Sequence, residues 1–315
     1  MEKVLITGGA GFIGFHLASY LSKKASVTIC DNLSRGRDDA DLKALLDSKN
    51  VSFVKCDLTK TDDLGKLEKH DYVYHLAAVQ GTKNFYEKPH TVLRTNLLST
   101  INLLDWYVLH RGKKILFSSS SEAYAGTITK FAGKIPTPEG IALSIDDVFN
   151  PRWSYGGSKI AGELLFANYA KAHGFDMSII RYHNVYGPRM GEDHVVPQFI
   201  RRAQAKEDPF DVYGGRETRA FCYIDDAVRA TELVMKSHER TVHIGNDCEE
   251  IMIIDLAKKI FEATGFNPRI NVQQAPEGSV LRRCPDISLL RKLGFEPSTS
   301  LNDGLKKTIG WYSKV

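Results

Sequence analysis

The stretch Val4-Leu5-Ile6-Thr7-Gly8-Gly9-Ala10-Gly11-Phe12-Ile13-Gly14 decides the fold. An apolar, β-branched run gives way to Gly9-x-Gly11-x-x-Gly14, and a helical period follows over Phe12 to Lys23. Glycines at a strand-to-helix turn let the backbone approach a pyrophosphate. The unpaired N–H groups and the positive dipole end of the helix favour that anion. Taken alone, the pattern also describes an ordinary tight turn, but its context is more specific. Val27-Thr28-Ile29 closes a unit of about thirty residues, and Asp31 follows where a carboxylate accepts both ribose hydroxyls of a dinucleotide. Asp31 would repel a 2′-phosphate, so NAD is the cofactor expected, with Arg35 and Arg37 the residues that argue for NADP. Asp57-Leu58 has two readings, closure over the adenine or a cap on the next helix.

Outward from this unit, short strands alternate with helical segments. Val51 to Val54, Tyr72 to His75, Lys114 to Phe117 and Met177 to Arg181 read as further strands. Asp38 to Ser48, Val92 to His110 and Trp153 to His173 read as helices, with Leu93, Leu97, Ile101 and Leu104 spaced to face the sheet. Strands this short and uncharged imply burial on both faces, hence an α/β fold with a doubly wound, Rossmann-type parallel sheet. Residues 1–180 are expected to form the NAD-binding domain. Residues 181–315, punctuated by prolines from Pro188 onward, are expected to form a smaller, less regular substrate lobe, some of whose segments return to the first domain. The segment from Gly126 to Asn150 reads as a long loop, and loops of that length are often functional.

The composition excludes several classes. With 315 residues, 43% hydrophobic and 25% charged, the chain can bury a full core and is not disordered. Its net charge of +4 forms no basic stripe, so nucleic acid is not an expected partner. Five cysteines without C-x-x-C or Cys/His spacing imply no metal, and reduced thiols of a cytoplasmic protein. Val4 to Ser22 is free of formal charge over nearly a membrane-spanning length, but Gly8, Gly9, Gly11 and Gly14 interrupt it. A soluble, unprocessed chain with no membrane partner is expected.

Tyr155 and Lys159 share one helix face, where an ammonium beside a phenol is expected to lower the phenol pKa and make a base. Tyr20 and Lys24 have the same spacing and read as a solvated face. Position selects Tyr155, because its helix follows the strand whose extension, Ser118 to Ser121, lies at the carboxyl edge of the sheet.

Together the motifs resemble the extended short-chain dehydrogenase/reductases of the NAD-dependent epimerase/dehydratase family, which act on nucleotide sugars. The resemblance runs through the glycine turn, Asp31-Asn32-Leu33-Ser34, His75-Leu76-Ala77-Ala78, Ser118-Ser119-Ser120, Tyr155 with Lys159, Arg181 to Arg189 and Phe221 to Asp226. It implies a cofactor set of Gly8, Gly11, Phe12, Ile13, Gly14, Asp31, Asn32, Asp57, Leu58, Leu76, Ala77 and Ala78, with Tyr155 and Lys159. In the family, the residue matching Ser120 bonds the sugar 4-hydroxyl, that matching Tyr155 is the base, and that matching Lys159 holds the nicotinamide ribose. Ser121, Asn184, Arg219 and an arginine of the Arg282-Arg283 pair are expected to hold the nucleotide-diphosphate sugar, the arginines on loops flanked by Gly214-Gly215 and Pro285.

Family members share C4 oxidation and then diverge. Glu122 stands where the resembling 4,6-dehydratases and glucuronate decarboxylases keep a glutamate, suited to act at the acidified C5 proton. It favours dehydratase-type chemistry, with 4-epimerisation as the alternative. No arginine in the sequence reads as a receptor for a C6 carboxylate, which counts against a decarboxylase. A non-catalytic NAD sensor has no need of Ser120, Tyr155 and Lys159 together, and an ordinary dehydrogenase would need an exchangeable cofactor. A homodimer is expected through the helices Val92 to His110 and Trp153 to His173, whose Trp106, Tyr107, Leu164, Leu165 and Phe166 exceed one sheet-facing stripe.

Overall fold

The computed structural model describes residues 1–275 and 279–314. Two compact units are present: one of residues 1–123, 147–181 and 231–242, the other of 124–146, 182–230 and 243–315.

In the first unit the strands are β1 (Lys3–Thr7), β2 (Ser26–Asp31), β3 (Val51–Lys55), β4 (Tyr72–His75), β5 (Lys114–Ser120) and β6 (Met177–Tyr182). Further along the chain come β7 (Val185–Tyr186), β8 (Phe210–Tyr213), β9 (Thr218–Ala220), β10 (Cys222–Tyr223), β11 (Thr241–Ile244), β12 (Glu250–Met252), β13 (Ile270–Gln273) and β14 (Arg282–Arg283). The seven-stranded sheet has the order β11-β6-β5-β4-β1-β2-β3. β1 pairs in parallel with β2 and β4, β2 with β3, and β4 with β5. The strand order reverses between β1 and β4, and such a reversal opens a crevice outside the carboxyl ends of the strands. Gly8, Leu76 and Ser120 all stand at or just beyond those ends.

The helices are α1 (Phe12–Leu21), α2 (Ala40–Leu46), α3 (Thr61–Leu64), α4 (Thr82–Glu87), α5 (Pro89–His110), α6 (Ala125–Phe131) and α7 (Trp153–His173). Asp39 starts α2 by accepting the Leu42 N–H at 3.0 Å, and Gly174 ends α7 in the left-handed conformation. The core on one sheet face joins Leu5, Val73, Ile115 and Phe117 to Leu103, Leu104, Trp106 and Tyr107 of α5 and Phe166 of α7. Each buried ring or Leu contributes about 2 kcal/mol, and Phe166→Ala would cost about 3–5 kcal/mol.

Four expectations change. The α5 stripe is Val92, Asn96, Ser99, Thr100, Leu103, Leu104 and Tyr107, while Leu93 is 38% exposed and Leu97 and Ile101 are half-buried. Its polar members were hidden from a hydrophobic count because their partners are distant in sequence. Asn96 accepts the Val79 N–H at 2.7 Å and donates to Ser158 Oγ at 3.0 Å. The surplus read as a dimer face is largely internal, since Trp106, Tyr107 and Phe166 are buried in the unit's own core. The loop from Gly126 begins inside a helix, α6, which the 3₁₀ turn Ser121–Tyr124 leads into. Tyr20 and Lys24 are not merely solvated, because both donate to Glu232, at 3.0 and 2.5 Å.

The second unit is assembled from small sheets, β7 with β10, β8 with β13, and β9 between β12 and β14, backed by the amphipathic helices Val195–Gln204, Ile253–Thr264 and Leu301–Tyr312. Arg219 lies on β9 and Arg282 and Arg283 on β14, so these arginines sit on strands rather than loops. Two- and three-residue strands leave no periodic signal to read in the sequence.

Candidate active site

Construction of the site starts at the turn after β1. Gly8 adopts φ +71°, open to glycine, and a Cβ there would lie 2.8 Å from the Ala77 backbone. A Cβ on Gly14 would lie 2.2 Å from the Gly8 carbonyl oxygen, so α1 can start this close to the strand only with glycine there. Gly11 is the N-cap of α1, with Phe12 and Ile13 in its first turn. Asp31 is buried and accepts the N–H groups of Ala10 at 3.1 Å and Leu33 at 2.8 Å. Burial raises its pKa, and those two backbone bonds work the other way. A carboxylate has about four acceptor positions, so capacity remains for two ribose hydroxyls. Asn32 is exposed and accepts the Ser34 N–H. Asp57 spends one oxygen on the Thr59 N–H and hydroxyl, 3.0 and 2.8 Å away, and so shapes the turn before α3. The buried Leu58 is tied by its carbonyl to Asn102. Leu76, Ala77 and Ala78 follow β4, the first two held to Thr7. His75 is clasped between the hydroxyls of Thr7 and Thr100 at 2.8 and 3.1 Å, and burial drives its pKa down to about 3, so the imidazole is neutral.

The chemical end lies on β5 and α7. Ser118 and Ser119 are buried, and Ser120 ends the strand. Lys159 donates to the Ser118 carbonyl at 2.7 Å, with its Nζ 4.9 Å from the Phe117 ring centroid and 5.5 Å from that of Tyr155. Burial pulls the ammonium down to about 7, with Glu163 opposing. The expected lowering of the Tyr155 phenol is not found. Burial holds it well above its ordinary value and the Glu122 charge adds to this, while the Ser120 hydrogen bond and Arg35 act downward. The lysine lies over the ring and spends its proton on a carbonyl, so desolvation wins. Phe85 of α4 stacks on the Tyr155 ring, centroids 5.2 Å apart.

Glu122 sits on the 3₁₀ turn after β5, its N–H donated to Ser120 Oγ at 3.2 Å. A Cβ on Gly156 would lie 2.9 Å from the Glu122 carbonyl, so this glycine lets α7 meet the turn. Arg152, three residues before Tyr155, places Nη2 3.3 Å from Glu122 Oε2. The sequence marks neither Arg152 nor Glu163. Glu163 accepts from Ser119 Oγ at 2.5 Å and from Arg181 Nε and Nη2 at 2.9 and 2.8 Å, joining β5, β6 and α7 in one buried network. Ser121 is buried beside Glu122 in the chain.

In the second unit, Arg283 is in register with Arg219 on the neighbouring parallel strand, which puts both side chains on one face. Arg219 bonds Glu217 at 2.9 Å. Arg282 turns to the other face and grips Glu250 at 2.8 to 3.1 Å. Asn184, at φ +40°, donates to the Ala220 carbonyl at 3.1 Å. Among the described residues no cluster could hold a metal, and no helix is long and apolar enough to cross a membrane. All five cysteines are free.

A dinucleotide turn and a Ser-Tyr-Lys constellation on a doubly wound sheet define an enzyme of the short-chain dehydrogenase/reductase class. The chain matches the model of the NAD dependent epimerase/dehydratase family over residues 4–246, and it belongs to that family. It is 34% identical over its full length to a UDP-N-acetyl-alpha-D-glucosaminuronate decarboxylase from Bacillus cytotoxicus, of which it covers 98%. Among solved structures it resembles a Thermotoga maritima UDP-glucose 4-epimerase with UDP-glucose, TM-score 0.87 at 30% identity, covering 99% of both chains. It also resembles a dTDP-glucose 4,6-dehydratase from Streptomyces venezuelae with NAD bound, TM-score 0.88 at 25% identity, covering 99% of this chain and 97% of that one. The family is NAD-dependent, and the glycine turn, Asp31 and the Tyr155–Lys159 pair fit that cofactor.

Proposed function

We propose that this enzyme oxidises a nucleotide-diphosphate sugar at C4 to a 4-keto sugar and then acts at C5 through Glu122, as in 4,6-dehydratase-type chemistry. The observation that carries this reading is that the backbone of Glu122 and the phenol of Tyr155 meet at Ser120, with the Glu122 carboxylate turned to Arg152. The Glu122 N–H and the Tyr155 hydroxyl both engage that hydroxyl, and the Glu122 charge reaches Tyr155. When bound, NAD supplies the hydride acceptor. Ser120 orients the sugar 4-hydroxyl, and Tyr155, once its own proton has been released, takes the proton of that hydroxyl as the phenolate; Lys159 holds the nicotinamide ribose, and in its ammonium form it favours the phenolate. Glu122 removes the C5 proton once C4 is a ketone. Within the second unit, Arg219, Arg283 and Asn184 are the residues whose chemistry suits a diphosphate. Arg282, saturated by Glu250, is left out of that set.

C4 epimerisation is the second reading, favoured by the likeness to the Thermotoga maritima epimerase. Incubation with UDP-, GDP-, CDP- and dTDP-sugars, with products read by NMR, tests the proposal. A 4-keto product or one altered at C5 or C6 supports it, and clean inversion at C4 replaces it with the second reading. A homodimer through α5 and α7 is the proposed assembly. It rests on the exposed Leu93, Leu109 and Leu164; a monomer by light scattering removes it.

A further inference from the structure

Arg152 is disfavoured where it stands. It occupies the N-cap of α7, a helix of 21 residues, without capping it through its side chain, and a cation there opposes the positive end of the helix dipole. The turn is made by Asn150 instead, whose side chain accepts the Arg152 N–H at 3.0 Å and whose carbonyl accepts the Trp153 N–H at 3.1 Å. The guanidinium lies 5.4 Å from the Trp153 ring centroid, and its Nη2 meets Glu122 Oε2 at 3.3 Å. Its Nε is buried without a hydrogen-bond partner among the described residues. One long contact in a partly exposed pair adds little to stability. Helix capping and folding therefore leave the arginine unexplained, and what remains is the carboxylate it faces.

The proposed reaction needs two bases, a phenolate at the C4 hydroxyl and a carboxylate at C5. Two anions in one site hinder one another, and the Glu122 charge already opposes loss of the Tyr155 proton. Ser120 and Arg35 act on that phenol in the other direction, and Lys159 passes over its ring. Only Arg152, among the described cations of this unit, is paired with Glu122 itself. An opposite charge so near a carboxylate favours its ionised form and offsets its field at a third group. We infer that Arg152 is a positioning residue: it holds Glu122 as an oriented carboxylate, screened from Tyr155, so that both groups serve as bases in one turnover. This role rests on the proposed C4 and C5 chemistry and adds the residue that lets its two bases coexist.

A charge pair has a signature that a purely structural arginine lacks. The NAD-loaded full chain and its variants are mixed with UDP-, GDP-, CDP- and dTDP-sugars across a pH series. C4 oxidation is followed by NADH absorbance, and C5 exchange by deuterium uptake in NMR. Arg152→Met leaves the Glu122 charge facing Tyr155, so the rising limb of C4 oxidation should move to higher pH, with oxidation several-fold slower where the native rate is half-maximal. Glu122→Gln leaves the Arg152 charge instead, so the limb should move to lower pH. The double variant should return it near the native position, and Arg152→Lys should hold it there, because the charge remains although the fork does not. C5 exchange by Arg152→Met should fall several-fold at neutral pH and recover as the pH rises. Rates that change equally at every pH, or single variants that shift the limb in the same direction, overturn the role of Arg152 alone. Should Arg152→Met fail to fold, an unmoved limb in Glu122→Gln overturns it as well. No NADH with any sugar, or no C5 exchange by the native enzyme at any pH, overturns the C4 and C5 chemistry beneath it.

Discussion

Lys159 donates to the carbonyl of Ser118 at 2.7 Å and passes over the Tyr155 ring, 5.5 Å from its centroid, without pairing with the phenol. The lysine therefore ties α7 to β5 through this hydrogen bond, and burial keeps the phenol protonated in the resting enzyme. Lys159 is held at about 7 in the folded chain against an ordinary 10.5. Between those values the unfolded chain binds the proton and the folded chain does not, so raising the pH favours folding. Stability linked to Lys159 is fully present above the ordinary value and is lost as the pH falls toward about 7. Denaturation midpoints should show the unmodified protein gaining on Lys159→Met as pH rises through that window. A constant difference contradicts this account.

Tyr155→Phe keeps the ring stacked on Phe85 and removes the proton acceptor. It should retain NAD and lose at least about a hundredfold in C4 oxidation, followed by NADH absorbance. Substantial residual turnover would point to another base.

Asp31→Ala removes an acceptor that also ties the Ala10 and Leu33 N–H groups together. NAD affinity by calorimetric titration should fall by about tenfold or more, because the ribose hydroxyls lose a charged partner. Unchanged affinity, or preference of the native enzyme for NADP, contradicts the role of Asp31.

Glu163→Leu leaves Arg181 buried without its carboxylate and Ser119 without its acceptor. Breaking a buried pair in this way costs about 3–5 kcal/mol, to be read as a lower denaturation midpoint. A change within the range of a surface substitution would show that the network is not structural.

The Rossmann half was legible because its signals are local. β4 and α7 have the ends their periodicity predicts, Tyr72–His75 and Trp153–His173, and the glycine turn announces α1. What the sequence hid are relations between distant residues with no periodicity. Arg152 meets Glu122 across thirty residues, and Asn96 meets Ser158 across sixty-two. The choice of Arg283 over Arg282 depends on the register of a two-residue strand. The Tyr155 phenol was misread because spacing reports proximity to Lys159, whereas its protonation is governed by burial.

Reaction in deuterated water tests the central claim, that C4 oxidation is followed by a Glu122-dependent step at C5. The true substrate, found by the nucleotide-sugar panel, is converted by the native enzyme and by Glu122→Gln, and deuterium at each carbon is read by NMR. The account predicts solvent deuterium at C5 with the native enzyme, and a Gln variant that still forms NADH but stops before exchange. Absence of deuterium at C5, together with full activity of the Gln variant, would contradict it and leave C4 epimerisation as the reaction.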